Sequence, residues 1–409
     1  MKKIFYNTFV ILTIFAAIIM TSCAEDPPAS LEQYPSANLP APVLSTLEPS
    51  SQALAGITEI TITGSNFSSD SRNNRVYFNG VPGTILSSTT TQLTVKVPNV
   101  VADTVMVKIA VVGAQDFSNQ YQYKMVSAWE VYYPLDPIAE KAYGIITDNN
   151  SNLLVNLYDI GIWKITPPPF DSTSKSLYVP KGNTQKWDNF RYGPGGELYG
   201  VRAARGVWKI VENVAPASPW AAPTAGVIVA LEFDSNQNLW ALNNNNTIFK
   251  FKQDRTITSY SFPGVLRAIR LFNNDLYVAA TKDNIEGVWR IPIDVNGDLG
   301  TEELYFETTN IRLAAKITAI AFAADGDLIL GMDKGPDPIL VVKPDKSYET
   351  LYPGVIGANS VVSMYWPANE ESLFFVRGEE RSADGTKITV GQAPIKVQMQ
   401  KNGAPYFGQ

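Results

Sequence analysis

The feature that most constrains this chain is a repeat that fills its C-terminal two thirds. A polar turn followed by Leu and a β-prone residue recurs at Asn150-Ser151-Asn152-Leu153, Gly195-Gly196-Glu197-Leu198 and Asn236-Gln237-Asn238-Leu239. It returns at Asn273-Asn274-Asp275-Leu276, Asp325-Gly326-Asp327-Leu328 and Asn369-Glu370-Glu371-Ser372-Leu373. The six leucines are spaced 45, 41, 37, 52 and 45 residues apart, a mean period of 44. A second signature follows each turn: Gly161-Ile162-Trp163-Lys164-Ile165, Gly206-Val207-Trp208-Lys209-Ile210 and Gly287-Val288-Trp289-Arg290-Ile291 are near-copies. Thr247 to Phe251 and Pro338 to Val342 are degenerate versions. Each unit thus holds an inner strand, the turn, a second strand, the G-x-W-K-I strand and a final strand. One such four-stranded sheet cannot bury both its faces, so the units must stack radially and the ring must close. The expectation is an all-β chain whose residues 126–409 form a six-bladed β-propeller. Ser127 to Tyr133 precedes the first unit and is expected to supply a strand to the last blade. An insertion in that blade, Gly378 to Gly391, reads as a binding feature or a surface excursion.

Residues 41–125 have a different texture, with short alternating runs separated by turn residues. Ile60 to Phe67 reads as a strand entering a Gly/Asn turn, and Arg75-Val76-Tyr77-Phe78-Asn79-Gly80 as a strand ending in a hairpin. Further strands at Leu93 to Pro98, Val105 to Val111 and Phe117 to Tyr123 make an immunoglobulin-like sandwich the natural solution. Leu47-Glu48-Pro49-Ser50, Gly56, the ITGSNF and VYFNG segments and the closing YQY together resemble an IPT/TIG domain. In exported bacterial proteins that resemblance implies a spacer or interaction module. The later repeats resemble NHL and gluconolactonase/regucalcin-like propellers. The second of these implies a divalent metal held by Glu, Asn and Asp in the channel, but its ligands match no positions of this chain one by one.

At the N-terminus Lys2 and Lys3 precede an apolar run from Phe9 to Met20 and then Thr21-Ser22-Cys23, the pattern of a secretory signal over 1–22. The run is too short for a spanning helix, which needs about 20 residues. Abutting the only cysteine of the chain, the segment resembles a lipobox, which implies acylation of Cys23 and membrane attachment through that lipid alone. Ala24-Glu25-Asp26 and the Pro/Ser-rich stretch to residue 40 form a tether over 23–40. Acidic residues at that place resemble the export signal of Bacteroidota lipoproteins, implying the outer face of the outer membrane. With Cys23 lipidated, both domains must fold without disulfides.

The chain contains no His, which excludes Ser-His-Asp and Cys-His nucleophile systems and His-ligated metal sites. Its net charge of −6 argues against nucleic acid as a partner. Loss of Lys2 and Lys3 with the signal leaves 31 basic against 39 acidic residues, a net of −8. Asp294-Val295-Asn296-Gly297-Asp298 superficially resembles a Ca²⁺ loop, but Leu299 stands where Gly is needed and Tyr305 where the bidentate Glu belongs. It reads as a hairpin turn, and no cofactor is expected.

Trp163, Trp208 and Trp289 occupy a repeated position and are expected to pack blades. Trp187, Trp220 and Trp366 are not explained by the repeat, and aromatic rings exposed on loops are what the apolar faces of sugars stack on. One rim would gather Lys141, Asp159, Trp187, Asp188, Arg202, Arg205, Arg267, Lys282, Lys316 and Arg377, a mostly basic set suited to acidic or hydroxyl-rich ligands. Trp187, Asp188, Arg202, Arg205, Arg267, Trp366 and Arg377 are the candidate binding residues; no catalytic residue is singled out. The resulting expectation is a surface-anchored binding protein that captures polysaccharide or oligosaccharide beside a SusC/SusD-type transporter. An enzyme working from the channel (lactonase, lyase or glycosidase) and a protein-binding envelope scaffold stand as alternatives.

Overall fold

The computed structural model describes residues 38–358 and 360–407. The signal, Cys23 and nearly all of the tether lie outside the described residues. The chain divides between Val126 and Ser127 into two compact units.

The first unit is a sandwich of two sheets. One has the strand order Val43–Glu48, Glu59–Ser65, Gln92–Lys96, Thr84–Ser88; the other runs Ala53–Leu54, Tyr121–Val126, Ala102–Val111, Asn74–Phe78, Val81–Pro82. Alternation is what makes this possible: over residues 59–63 and along Gln92–Lys96 every second residue is buried, so Ile60, Ile62, Leu93 and Val95 meet Val76, Phe78, Val105, Val107 and Ile109 in one core. Asn79 and Gly80 both have positive φ, the two-residue turn that the Asn-Gly pair encodes. Gly64 is needed for close approach, since a Cβ there would lie 1.9 Å from the Val43 carbonyl oxygen.

The second unit is the six-bladed propeller. Reading outward from the channel, the first blade is Ala142–Thr147, Leu153–Leu157, Gly161–Ile165, Lys175–Pro180, and the third is Ile228–Phe233, Leu239–Asn243, Thr247–Phe251, Ile257–Ser261. The fourth is Val265–Phe272, Asp275–Lys282, Ile285–Pro292, Glu303–Glu307, and the fifth Ile317–Phe322, Leu328–Met332, Ile339–Val342, Tyr348–Thr350. The sixth is built from both ends of the unit: Val361–Tyr365, Ser372–Arg377 and Ala393–Gln398 are joined by Trp129–Val131 as outermost strand. Trp129 fastens this closure by donating its indole N–H to the Val355 carbonyl at 2.7 Å.

The second blade departs from the four-stranded expectation. Asn189–Tyr192, Leu198–Val201 and Trp208–Ile210 have no fourth partner strand among the described residues; the chain beyond them returns through isolated bridges, Val207 with Ala221 and Ala204 with Ile228. Pro216, Pro219 and Pro223 fall in that stretch and each lacks the N–H a ladder needs.

Blades are covered on both faces by their neighbours, which is why the second strands Leu153–Leu157, Leu239–Asn243 and Leu328–Met332 are buried throughout. The Asn-rich turns before the second strands of the first and third blades have a local cause. Asp148 and Asp234 each accept, through Oδ1, the backbone N–H four residues on, at 2.8 Å, and Asp294, between the third and fourth strands of the fourth blade, does the same at 2.8 Å. Asp294–Asp298 is therefore a hairpin turn of the same kind, and the Asp298 carboxylate is engaged by Lys250 at 2.5 Å and the Tyr260 hydroxyl at 2.6 Å. The Gly378 to Gly391 insertion carries a small hairpin, Glu380–Arg381 with Ile388–Val390.

Candidate functional site

In such a ring the loops that enter inner strands and those joining second to third strands gather on one rim, here the upper; turns between inner and second strands gather on the lower. The candidate residues named from sequence divide between the two. Trp187, at the upper entry to the second blade, is 1% exposed and packs edge-on against Trp208, centroids 5.9 Å apart. Trp366 is also 1% exposed, belongs to a lower-rim turn and donates its indole N–H to the Glu370 carbonyl at 2.8 Å. Neither ring presents a face to solvent, so the exposure expected of both is corrected. They fill the widening space between blades, a demand on volume that falls outside the repeat. Trp220 likewise packs against Tyr199, 5.3 Å away.

The upper-rim charges are largely answered from within. Asp188 pairs with Lys186 at 2.7 Å, Lys282 with Glu302 at 2.6 Å and Lys141 with Glu379 at 3.2 Å. Arg267 and Lys316 share the buried carboxylate of Glu286, which also accepts the Thr281 hydroxyl. Arg202 lies 4.2 Å over the Trp208 ring, and burial lowers its pKa. Arg377 donates to the Gly391 carbonyl at 3.2 Å, with its pKa also lowered by burial. Arg205 is exposed and donates to the Thr224 carbonyl at 2.9 Å. The basic excess expected on this rim is thus offset by Glu286, Glu302 and Glu379, which the sequence count left out.

Below the upper rim the channel holds a cavity of about 40 Å³, bordered by Asp188, Arg191, Arg267, Thr318 and Ser363 among others. That is room for a few waters, not for a sugar. Among the described residues Asp188 is the one carboxylate in this lining and is already paired with a lysine, while two arginines stand beside it. This donor set does not fit the divalent metal that the regucalcin resemblance implies.

The lower mouth is built differently. After the last strand the chain crosses it as a tail, with Gly403 N–H donating to the Glu370 carbonyl at 3.1 Å and Ala404 N–H to that of Phe322 at 2.9 Å. Only glycine fits at 403, because a Cβ would lie 2.5 Å from the Pro367 carbonyl oxygen. Tyr406 then enters the channel and stacks on Tyr365, centroids 4.8 Å apart. A buried ionic cluster clamps it. Arg191 is 3.0 Å from Glu232, and Arg270 is 3.9 Å from the same carboxylate. The Arg270 guanidinium lies 3.6 Å over the Tyr406 ring and donates to the carbonyls of Ala404 at 3.0 Å and Pro405 at 2.7 Å. Burial works against the Arg191 charge, but Glu232 with Tyr406 and Tyr365 holds its pKa above the ordinary value.

Against this tail opens a cleft of about 460 Å³, walled by Phe233, Phe272, Tyr406 and Phe407, with Ser235, Asn273 and Asn274 at its edge. Phe272 is half-buried and held flat by Phe322, rings parallel within 5° and 4.3 Å apart. Phe407, also half-buried, leans on Phe233 at 5.7 Å. Among the described residues the one carboxylate lining the cleft, Asp234, already accepts from Asn238 and the Trp240 indole. Size, half-open aromatic faces and an uncharged amide rim together suit a polyhydroxylated, uncharged ligand. None of these residues was singled out from sequence. The one available signal was the unallocated Ala404-Pro405-Tyr406-Phe407, two aromatics beyond the last strand of a ring that is already complete.

Comparison with known proteins bears on the architecture. Residues 42–125 match the IPT/TIG domain family. No protein of curated function matches the sequence. Among solved structures, a putative phosphatase from Bacteroides thetaiotaomicron is similar at 10% identity and a TM-score of 0.56, over 89% of this chain and 98% of that one. A calcium-binding regucalcin from Agrobacterium tumefaciens is similar at 12% identity and 0.50, over 66% and 95%. An auxiliary nutrient binding protein from Bacteroides thetaiotaomicron is similar at 12% identity and 0.47, over 83% and 95%. At such identities the likeness concerns fold alone, and the chain is an all-β protein that joins an IPT/TIG-type sandwich to a six-bladed propeller.

Proposed function

We propose that this is a non-catalytic nutrient-binding protein, anchored at the cell surface through Cys23, that captures saccharide in the lower-face cleft for a SusC/SusD-type outer-membrane transporter. The observation that carries the reading is the cleft itself: two half-buried aromatic faces, Phe272 and Phe407, flank about 460 Å³ edged by Asn273, Asn274 and Ser235. A sugar needs an apolar platform for its C–H face and neutral donors and acceptors for its hydroxyls, and that combination is present. The binding reading is preferred to glycoside hydrolysis because the latter uses two carboxyl groups flanking the scissile bond, and Asp234 is the one carboxylate among the described residues of this lining. The name of the Bacteroides nutrient binding protein agrees with the reading but lends it no weight.

The test is affinity electrophoresis of the unlipidated chain from residue 24 to 409 through gels containing neutral, uronate-bearing or sulfated polysaccharides. Retardation that Phe272→Ala abolishes and Arg205→Ala leaves intact is the expected result. Retardation abolished instead by upper-rim substitutions would move the site to that face, and no retardation by any polymer would overturn the saccharide reading. Release of reducing ends from a retarding polymer would refute the non-catalytic part.

A further inference from the structure

Beside the first cleft lies a second, of about 270 Å³, lined by Asn149, Tyr192, the turn Gly193 to Gly196, Gln237 and Phe407. Phe407 lines both clefts, so its ring stands between them. We infer that the two are subsites of one groove and that the ligand is a neutral oligosaccharide of several units laid across Phe407, not a single sugar. This inference rests on the saccharide reading above.

Three observations carry it. The first is the run of aromatic surface. Tyr192 in the second cleft and Phe272 in the first are half-buried like Phe407, so each compartment has a ring of its own besides the one that is shared. A chain of sugars offers one apolar face per unit, which is the periodic demand that such a series of platforms meets. The second is the floor of the second cleft. Gly195 and Gly196 have φ of 72° and 73°, and a Cβ built on either would meet nothing within 4 Å. The positive φ calls for glycine; the Gly196 N–H is held by the Gly193 carbonyl at 3.1 Å and the Gly193 N–H by that of Glu197 at 2.8 Å, so what the missing side chains leave is an unobstructed floor on which a sugar can lie.

The third is charge. Among the described residues no group charged at neutral pH lines the second cleft, and in the first Asp234 is bonded to Asn238 and Trp240 while Arg270 is turned to the tail carbonyls and Tyr406. A uronate or sulfate would therefore lose hydration with no free cation to replace it. The groove selects neutral chains, the opposite of the preference that a basic upper rim had suggested.

The measurement is isothermal titration calorimetry of the same unlipidated chain with glucose, xylose and mannose oligomers of one to six units, alongside galacturonate oligomers. Affinity for one neutral series is expected to rise at least tenfold between one and four units. Tyr192→Ala is expected to remove most of that gain; Phe272→Ala should weaken every length, and Phe407→Ala should flatten the dependence on length. Tyr192→Phe, which keeps the ring, should retain the gain and guards against a folding artefact. Equal affinity for one and four units, or tighter binding of galacturonate oligomers, would overturn this inference while leaving saccharide capture in place. Binding of none of the sugars would overturn the saccharide reading with it.

Discussion

Replacing Glu232 by Gln is the sharpest test of how the lower face is assembled. Glu232 is 1% exposed and is the carboxylate shared by Arg191 and Arg270, themselves 3% and 1% exposed. The native cluster already carries one positive charge in excess; the substitution leaves two buried guanidiniums with no counter-ion. Removing one partner of a buried pair costs roughly 3–5 kcal/mol. Several compensations hold the loss to that range and no more: Arg191 keeps its bond to the Phe190 carbonyl, Arg270 keeps those to Leu271, Ala404 and Pro405, and the Tyr406 ring still faces both cations. The assay follows from the sequence. All eight tryptophans lie between Trp129 and Trp366, so indole fluorescence during urea or thermal unfolding reports the propeller alone. For a unit of this size a few kcal/mol lowers the midpoint on the order of 10 °C. Because Arg270 holds the tail that forms one wall of the cleft, oligosaccharide affinity should fall together with stability. A loss below about 1 kcal/mol would refute the claim that Glu232 neutralises buried charge there; intact stability with intact binding would show that the tail is held by other contacts.

Trp187→Phe should lower the tryptophan-monitored midpoint, since it trims a ring packed against Trp208 and Phe190, yet leave polysaccharide retardation unchanged; lost binding in a folded variant would return the site to the upper rim. Gly403→Ala should push the tail off the Pro367 carbonyl and off the Trp366 ring, 2.7 Å from the added methyl. A cost of about 1–3 kcal/mol and a shifted Trp366 emission are expected, with weaker sugar binding. Asp327 is 4% exposed; burial raises its pKa, but Lys343 at 2.8 Å and Lys401 outweigh this and hold it below the usual carboxylate range. Its stabilising effect is therefore complete above the unfolded value near 4 and lost as pH falls through the lower folded value. Urea midpoints of the native chain and of Asp327→Asn should differ at pH 7, and the difference should shrink as pH falls below about 4. In the sandwich, burial and Glu48 push the Tyr123 pKa up to about 12, with its hydroxyl donating to the Pro49 carbonyl at 2.6 Å. The stability lost in Tyr123→Phe should be constant below pH 10 and vanish as pH rises towards 12, followed by circular dichroism.

What could be read in this sequence was whatever the fold demands repeatedly. Six blades ask six times for the same turn and the same strand, so errors at one copy are corrected by the others, and even the borrowed strand at Trp129–Val131 follows from the requirement that the ring close. The second blade escaped because three prolines outvoted the repeat locally. Sites obey no such averaging. Trp187 and Trp366 stood out because they break the pattern, but a break in pattern has two causes, a ligand outside or an irregular gap inside, and here the gap accounts for both rings. The rim charges misled for a related reason: residues near loops were counted, whereas Glu286, which neutralises Arg267 and Lys316, enters from a strand. The groove draws Tyr192, Phe272 and Phe407 from two blades and a tail more than 130 residues further on, and sequence distance hides their meeting. Yet its position follows from the same closure that made the fold legible. Once the sixth blade takes its last strand from the N-terminal end of the unit, the C-terminal residues have no place left in any sheet, and the nearest apolar surface unoccupied by a blade is the mouth of the channel. A tail forced there with Tyr406 and Phe407 both seals the ring and builds a wall, so the binding face proposed for this protein is a by-product of how the circle is shut.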